Sequence, residues 1–378
     1  MGSFRDLIHQ HNVKKDITIK IDSCEIVRRN PFSPEINVEG SLELIFHYRP
    51  IRQEIILTDI KLDFPELQAK LEIERNKSYD SDNYYLKKVI SNNIVRQLKE
   101  QINTIDHFIP IFPYLRLRKL TQDKGLIDTP RLFCRHLYRS IKSIEYIGPF
   151  REPPHRTYMY SGESPSSVGV RGERAMDIMT MDFLKQRGSK KKKFIIENVQ
   201  KFFKLSQISD EIRIHKLSDR HFEIVLSKYK ARSEDNIADV GYGCSQILPI
   251  LIAGYNIKEK NILIVEEPEI HLHPKAQAEL GTFFYELSER EIQTIIETHS
   301  EHLLLRLQAY IADPSYNLKP DDLRIYYVYM EKGKRRIVHL ELDDNGLFKT
   351  EWPEGFFPER YFEARKIAQK VVTKDKNE

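Results

Sequence analysis

The sequence is poor in cysteine and tryptophan and has no long apolar run. Its 378 residues include one tryptophan and three cysteines, at positions 24, 134 and 244. The cysteines are far apart and form no Cys-x-x-Cys pair, which predicts free thiols in a reducing compartment. No apolar run approaches the ~18 residues of a membrane-spanning helix, and the N-terminus has no signal-peptide core. We therefore expect a cytoplasmic protein.

The net charge is also small. The chain has 60 basic and 56 acidic residues, for a formal net charge of +4. Such a balance gives only weak overall attraction to nucleic acid, so DNA binding would need a local basic patch. The clearest basic run is Lys190 to Lys193. Two interpretations of this run are left open: a solvated loop and a nucleic-acid contact.

Composition divides the chain into four segments. Residues 1–65 contain three strand-like runs separated by prolines and predict an antiparallel β portion. Residues 66–130 are polar and predict an inserted helical subdomain, with a helix over residues 89–105. Residues 131–320 alternate strands with helices, and residues 321–378 begin with two closing strands. The predicted fold class is therefore α/β with a β-rich N-terminal portion.

The most informative stretch is residues 261–274, Asn-Ile-Leu-Ile-Val-Glu-Glu-Pro-Glu-Ile-His-Leu-His-Pro. A β-branched run that ends in two acids predicts a buried strand with Glu266 and Glu267 at its C-terminal end. A helix and a second strand follow, and the second strand ends at His299. Such a βαβ unit places Glu266, Glu267 and His299 at one edge of the sheet, where open α/β sheets bind ligands.

A glycine-rich loop precedes a helix about twenty residues upstream. It runs Asp-Val-Gly-Tyr-Gly-Cys-Ser-Gln over residues 239–246 and places Gly241, Gly243, Ser245 and Gln246 at the start of a helix. Backbone N–H groups at a helix start, together with a hydroxyl group, form an anion site. A simple turn is the plainer interpretation of the two glycines.

These three segments resemble the signature loop, Walker B strand and switch histidine of an ABC-type ATPase. Residues 146–154, 340–346 and 351–358 extend the resemblance to bacterial AAA15-type ATPases carrying a DUF3696 domain. Relatives of that family include recombination and SMC-like ATPases and several phage-defence ATPases. The resemblance implies a P-loop NTPase-like sheet, with residues 131–320 as the ATPase core and residues 321–378 as a DUF3696-like segment. It also implies ATP and Mg²⁺ as cofactors and a nucleotide-sandwiched homodimer.

The resemblance implies a role for each candidate residue. Glu266 would bind Mg²⁺, although the family usually has aspartate there. Glu267 would be the general base for the attacking water, and His299 would contact the γ-phosphate of the same protomer. The loop residues would contact a nucleotide, the first three of them in the opposite protomer: Gly241, Gly243, Ser245 and Gln246.

The Gly-x-x-x-x-Gly-Lys-Ser/Thr loop that holds nucleotide phosphates in such enzymes does not occur in the 378 residues. Residues 2–9 resemble a segment that follows this loop in the family. We therefore expect the first strand, the P-loop and the following helix to lie upstream of Met1. The alternative is a regulatory or interaction protein derived from such an ATPase. An effector protein, a nuclease and DNA are further partners that the resemblance leaves open.

Two other chemistries use the same residues. The acids and histidines of residues 266–273, with His299, form a ligand set for a metal hydrolase, because His-x-His puts both rings on one face of a strand. Two prolines in that stretch argue against a regular strand. Ser245 and His299 would make a nucleophile and its base, but the sequence has no Gly-x-Ser-x-Gly elbow.

Overall fold

A computed structural model of the chain describes ten ranges of residues and divides into two compact units, Met1–Ser143 and Ile144–Glu378. The described ranges are 16–28, 35–49, 54–75, 84–91, 94–102, 105–106, 109–110, 124–184, 194–227 and 234–349. The basic run Lys190 to Lys193 and the predicted motifs at residues 2–9 and 351–358 lie outside these ranges.

The first unit is built on a six-stranded antiparallel sheet whose strands follow one another in chain order. In the middle strands of this sheet hydrophobic residues alternate, so that every second side chain enters the core, as for Leu42 and Leu44. The strands are β1 (Ile17–Arg28), β2 (Glu35–Arg49), β3 (Glu54–Phe64), β4 (Ala69–Arg75), β5 (Tyr84–Ser91) and β6 (Ile94–Ile102), followed by the short pair β7 (Ile105–Asp106) and β8 (Ile109–Pro110).

Helix α1 (Lys124–Lys142) completes the core of the first unit. Its Phe133 ring packs edge-on against Phe64 of β3, with ring centroids 5.3 Å apart. The core of this unit therefore includes residues beyond 130, and the compact unit ends at residue 143 rather than at the predicted segment boundary of 130.

The predicted helix over residues 89–105 is wrong. Strands β5 and β6 occupy this region and pair through Ile90 and Val95. In the sequence, frequent lysine, arginine and glutamine residues obscure the alternation of apolar and polar residues that predicts a strand. The sequence pair Asn92-Asn93 is typical of a hairpin turn. The predicted boundary at residue 65 also falls inside one sheet, because β3 and β4 pair across it.

The second unit contains a three-stranded parallel sheet in the order β15 (Gln293–Glu297), β14 (Ile262–Glu266), β9 (Ile144–Ile147). Val265 of β14 lies between Ile147 of β9 and Ile296 of β15. A second, antiparallel sheet and five helices pack around it. The strands are β9 (Ile144–Ile147), β10 (Tyr158–Met159), β11 (Glu211–Lys216), β12 (His221–Ser227), β13 (Asp235–Asn236), β14 (Ile262–Glu266) and β15 (Gln293–Glu297). The helices are α2 (Ala175–Leu184), α3 (Phe194–Leu205), α4 (Tyr242–Asn256), α5 (Pro274–Ser288) and α6 (Glu301–Ala312).

Proline and serine, both typical of helix starts, begin the two helices beside the parallel sheet. Pro274 occupies the first turn of α5, where a missing N–H costs nothing, and the His273 ring accepts a hydrogen bond from the Ala276 N–H. The Ser300 hydroxyl accepts a hydrogen bond from the Leu303 N–H and caps α6. These two helix starts fix the ends of the loops that follow β14 and β15.

A closing hairpin, β16 (Ile325–Glu331) and β17 (Lys334–Leu340), confirms the two predicted C-terminal strands. The turn after it is held by the Gln308 side chain, which donates to the Gly346 carbonyl at 2.6 Å. Together the two units confirm the predicted α/β class. Among the described residues, no helix has the length and apolar character needed to cross a membrane.

Candidate functional site

Three loops meet at one edge of the parallel sheet, because parallel strands end on the same side. Strand β14 ends at Glu266, with Glu267 next in the chain. Strand β15 ends at Glu297, two residues before His299. Strand β9 contributes the loop that leads to Arg151. The structure thus brings together the three side chains that the sequence predicts at this edge.

Glu267 and His299 contact each other directly. The Nε2 atom of His299 lies 3.0 Å from Oε1 of Glu267. The Glu267 backbone has a φ of +46° and donates its N–H to the Glu297 carbonyl at 2.8 Å. A left-handed conformation at a residue other than glycine costs about 1–3 kcal/mol and occurs preferentially at functional sites. The fold therefore holds this carboxylate in a strained position.

The surroundings of Glu267 favour its neutral form. Burial raises the pKa of the Glu267 carboxyl group, and the Glu269 carboxylate raises it further, while His299 lowers it. A general base is most effective when its pKa lies near the working pH. The raised pKa brings Glu267 closer to neutral pH, which suits a group that accepts a proton from water.

Glu266 is oriented by a tyrosine of the neighbouring strand. The Tyr146 hydroxyl donates to Oε1 of Glu266 at 2.8 Å. Burial, together with this hydrogen bond, raises the pKa of Tyr146 and keeps it a donor. A carboxylate has about four acceptor positions, so Glu266 can bind a cation while it accepts this bond. One carboxylate plus substrate phosphates is an ordinary ligand set for Mg²⁺, so the residues present fit that ion.

The metal-hydrolase interpretation is wrong for the described residues, among which no three His, Cys, Asp or Glu side chains cluster to hold a metal ion. The segment after Glu267 turns instead of continuing as a strand. His271 has a φ of +65°, and the His273 ring is used to cap α5. The two rings therefore lack the strand geometry that would align them as ligands.

Arg151 is the residue that sequence reasoning missed. It is only 4% exposed, and its Nη2 donates to the carbonyl oxygens of Glu266 at 2.6 Å and Glu267 at 3.0 Å. Burial lowers its pKa to about 10, an effect that the nearby Glu269 and Glu267 carboxylates oppose. Its position just after β9, at the sheet edge shared with Glu266, is the signal that could have identified it.

Glu269 connects the β14 loop to the β15 loop. Its Oε1 atom accepts the backbone N–H of His299, and the residue is 7% exposed. The sequence suggested Glu269 only as a metal ligand. Its position three residues after the strand end explains the structural contact, because the chain turns back there towards β15.

The glycine-rich loop of residues 239–246 packs on the segment that follows Glu267. The Tyr242 ring meets the His271 ring edge-on, with centroids 5.4 Å apart. Gly241 and Tyr242 are exposed, whereas Ser245 is buried and its hydroxyl donates to the Tyr242 carbonyl at 2.8 Å. Gln246 is buried too, and its amide donates to the Glu152 carbonyl at 3.4 Å. The exposed part of the loop is therefore the N-terminus of α4, and Ser245 and Gln246 lie behind it.

We expect Gly243→Ala to lower the free energy of unfolding by about 1–3 kcal/mol, because overpacking a close contact forces the backbone to shift. A Cβ atom at Gly243 would lie nearer to the His271 carbonyl oxygen than real Cβ atoms come to another atom. The matched control is Gly241→Ala, whose Cβ would meet no atom within 4 Å. Urea unfolding of both variants checks this prediction, and equal midpoints would contradict it.

A family model described as an AAA ATPase domain matches residues 5–304. No curated protein matches the chain. The SMC head domain from Thermotoga maritima is 12% identical with a TM-score of 0.30, over 80% of this chain and 75% of that one.

Two further SMC head structures are similar. One is an Smc head bound to the C-winged helix domain of ScpA, at 13% identity and a TM-score of 0.35, over 83% of this chain and 77% of that one. The other is an Smc head with an extended coiled coil bound to the C-terminal domain of ScpA, derived from Pyrococcus furiosus. It is 11% identical with a TM-score of 0.32, over 90% of this chain and 82% of that one. The TM-scores of all three structures are low, so the family of this chain is taken from the AAA ATPase family model.

Proposed function

Because the chain belongs to the family of AAA ATPase domains, we propose that the site at the ends of β9, β14 and β15 hydrolyses ATP. The observation that carries the proposal is the 3.0 Å contact between Glu267 and His299, with Glu266 next in the chain. A strained, partly buried carboxylate beside an imidazole supplies a base and a phosphate contact. A regulator that hydrolyses nothing has no need of this arrangement, so the alternative is not favoured.

Each residue has a defined task in this mechanism. Glu267 accepts the proton of the attacking water and so aligns it with the γ-phosphate. His299 donates a ring N–H to the γ-phosphate, where negative charge develops. Glu266, fixed by the Tyr146 hydroxyl, would hold the Mg²⁺ ion. That ion would supply positive charge that offsets the negative charge of the phosphates.

The phosphates also need a P-loop, and the 378 residues contain no Gly-x-x-x-x-Gly-Lys-Ser/Thr sequence. Strand β15 is the outer strand of the parallel sheet in the described part of the chain, and the Ile295 side chain on it is 50% exposed. A further parallel strand paired with β15 would cover Ile295 and carry a P-loop to the side of His299. Assays of turnover therefore use protein that is fused to, or mixed with, a segment that carries a P-loop.

The signature loop acts on the nucleotide of a second protomer in this proposal. Gly241 is exposed at the N-terminus of α4, a helix of 15 residues. Free N–H groups and the helix dipole at such an end attract phosphate. Gly241 and Gly243 present these N–H groups, while Ser245 and Gln246 hold the helix start in place from behind. Two protomers arranged head to tail would then enclose two ATP molecules.

DNA binding, an associated nuclease, the DUF3696 segment and a role in phage defence remain predictions from the sequence resemblance. The basic run Lys190 to Lys193 and residues 351–358, which motivate two of them, lie outside the described residues.

We expect His299→Ala to lower kcat for ATP hydrolysis about 10²- to 10³-fold, the usual effect of removing one donor to a developing negative charge. The matched control is His221→Ala, which removes an exposed histidine at the β11–β12 turn. Phosphate release with ATP and Mg²⁺ measures both variants. A His299→Ala protein with the rate of the control would overturn the role assigned to His299.

A further inference from the structure

Two buried charged residues lie beneath the candidate base, and neither satisfies all of its polar atoms. Arg151 is 4% exposed and leaves Nε and Nη1 without a hydrogen-bond partner. Glu269 is 7% exposed and leaves Oε2 without one. Buried polar atoms in this state are uncommon and destabilise the folded protein. A pair of buried charges with incomplete hydrogen bonding therefore calls for a reason other than stability.

The bonds that the two residues do make converge on Glu267 and His299. Arg151 donates hydrogen bonds to the carbonyl groups of Glu266 and Glu267. These bonds fix the peptide between the two residues, which precedes the left-handed backbone of Glu267. Glu269 holds the N–H of His299. The first contact fixes the base on the β14 loop, and the second fixes the phosphate-sensing residue on the β15 loop.

We propose that Arg151 and Glu269 are positioning residues that form a buried clamp, the Arg151–Glu269 clamp, which sets the separation of Glu267 from His299. This inference rests on the proposed function, because it explains how the base is held for catalysis. Arg151 bonds to backbone carbonyl groups, and the Glu269 carboxylate lies beside the Glu267 carboxyl group and bonds to the His299 N–H. Arg151 acts through the backbone of the β14 loop, and Glu269 acts through the backbone of the β15 loop.

Stability alone does not account for the clamp. The opposite charges of Arg151 and Glu269 attract each other. Neutralising both removes this attraction together with the cost of burying the charges, whereas removing one leaves the other uncompensated. Arg151→Met should therefore destabilise the protein, and the double variant Arg151→Met/Glu269→Gln should recover most of that loss. Glutamine keeps the acceptor for the His299 N–H, so the double variant isolates the loss of the two carbonyl contacts.

The test is amide hydrogen exchange on the 378-residue chain without nucleotide. We expect the Glu267 amide, and with it the His299 amide, to exchange about 10- to 100-fold faster in the double variant, since two hydrogen bonds from a charged donor are gone. The Leu263 amide inside β14 should keep its protection. Arg151→Lys should also speed exchange at Glu267, because the lysine side chain is one atom shorter and does not carry its ammonium group to the position of Nη2.

The matched control is Arg156→Met, which removes an arginine of the same loop whose side chain is 70% exposed and pairs with Asp239. It should leave exchange at Glu267 unchanged. If Arg151→Met fails to fold, the double variant and Arg151→Lys carry the test. Unchanged exchange at Glu267 in a folded double variant would overturn the clamp, and so would equal acceleration at Leu263.

Turnover separates the clamp from the proposed function. In protein that carries a P-loop, the double variant should lower kcat about 10-fold or more at an unchanged KM for ATP, because a displaced base affects only the chemical step. Faster exchange at Glu267 with no ATP hydrolysis by the wild type would refute the proposed function and leave the clamp in place. Unchanged exchange with normal hydrolysis would refute the clamp alone.

Discussion

Glu267→Gln should stop ATP turnover while leaving ATP binding intact. Glutamine keeps the shape of the side chain and its hydrogen bonding but cannot accept the proton of the attacking water. The loss of a general base lowers the rate by typically 10²- to 10⁴-fold. Phosphate release measures the rate, and calorimetry measures ATP affinity, both with Mg²⁺ present and in protein that carries a P-loop.

The control for this variant is Glu289→Gln, which makes the same chemical change at an exposed position after α5. It should retain the wild-type rate. A Glu267→Gln protein that still turns over within a factor of ten of the wild type would show that another group acts as the base. Loss of ATP binding in the same variant would assign Glu267 to nucleotide binding instead.

Gly241→Arg should prevent ATP-dependent dimerisation and leave ATP binding by each protomer intact. A side chain at Gly241 would meet no atom of its own protomer within 4 Å, and the backbone φ of −48° suits any residue. In a sandwich dimer the same side chain would enter the space between the signature loop and the partner's nucleotide. The bulk of this side chain would hold the two surfaces apart, and overpacking of this kind costs about 1–3 kcal/mol, which weakens the dimer ~10- to 100-fold.

Position 241 gives a cleaner test of the interface than position 245. Ser245 is buried behind the loop, so that an arginine there would disturb the fold of the protomer as well. The matched control is Leu217→Arg, which adds the same side chain at an exposed position in the β11–β12 turn. Analytical ultracentrifugation with ATP should show dimers for the control and monomers for Gly241→Arg. Equal dimerisation of both variants would remove the loop from the interface.

Sequence patterns located the strand ends that build the site because these ends combine several local signals. Apolar β-branched runs, a following pair of acids and a helix with a polar cap fix where β14 and β15 stop. A parallel βαβ unit then leaves one edge where Glu266, Glu267 and His299 can meet. The proximity of Glu267 to His299 follows from the parallel βαβ topology and could not be predicted from either motif alone.

The clamp could not be predicted in the same way. Arginines in loops are usually exposed, and only tertiary packing buries Arg151 beneath the β14 loop. A left-handed backbone is usually predicted from a glycine, and position 267 is a glutamate. Strands β5 and β6 were missed for a related reason, because their sequences are rich in long polar residues and their pairing depends on a sheet formed by other segments.

The most direct measurement is the size of the Glu267→Gln protein, carrying a P-loop, in solution with ATP and Mg²⁺. Closure of the dimer needs bound ATP, and this variant cannot hydrolyse the ATP that closes it. Size-exclusion chromatography with light scattering should therefore show a dimer with ATP and a monomer without it. A protein that binds ATP and stays monomeric at high concentration would contradict the sandwich mechanism.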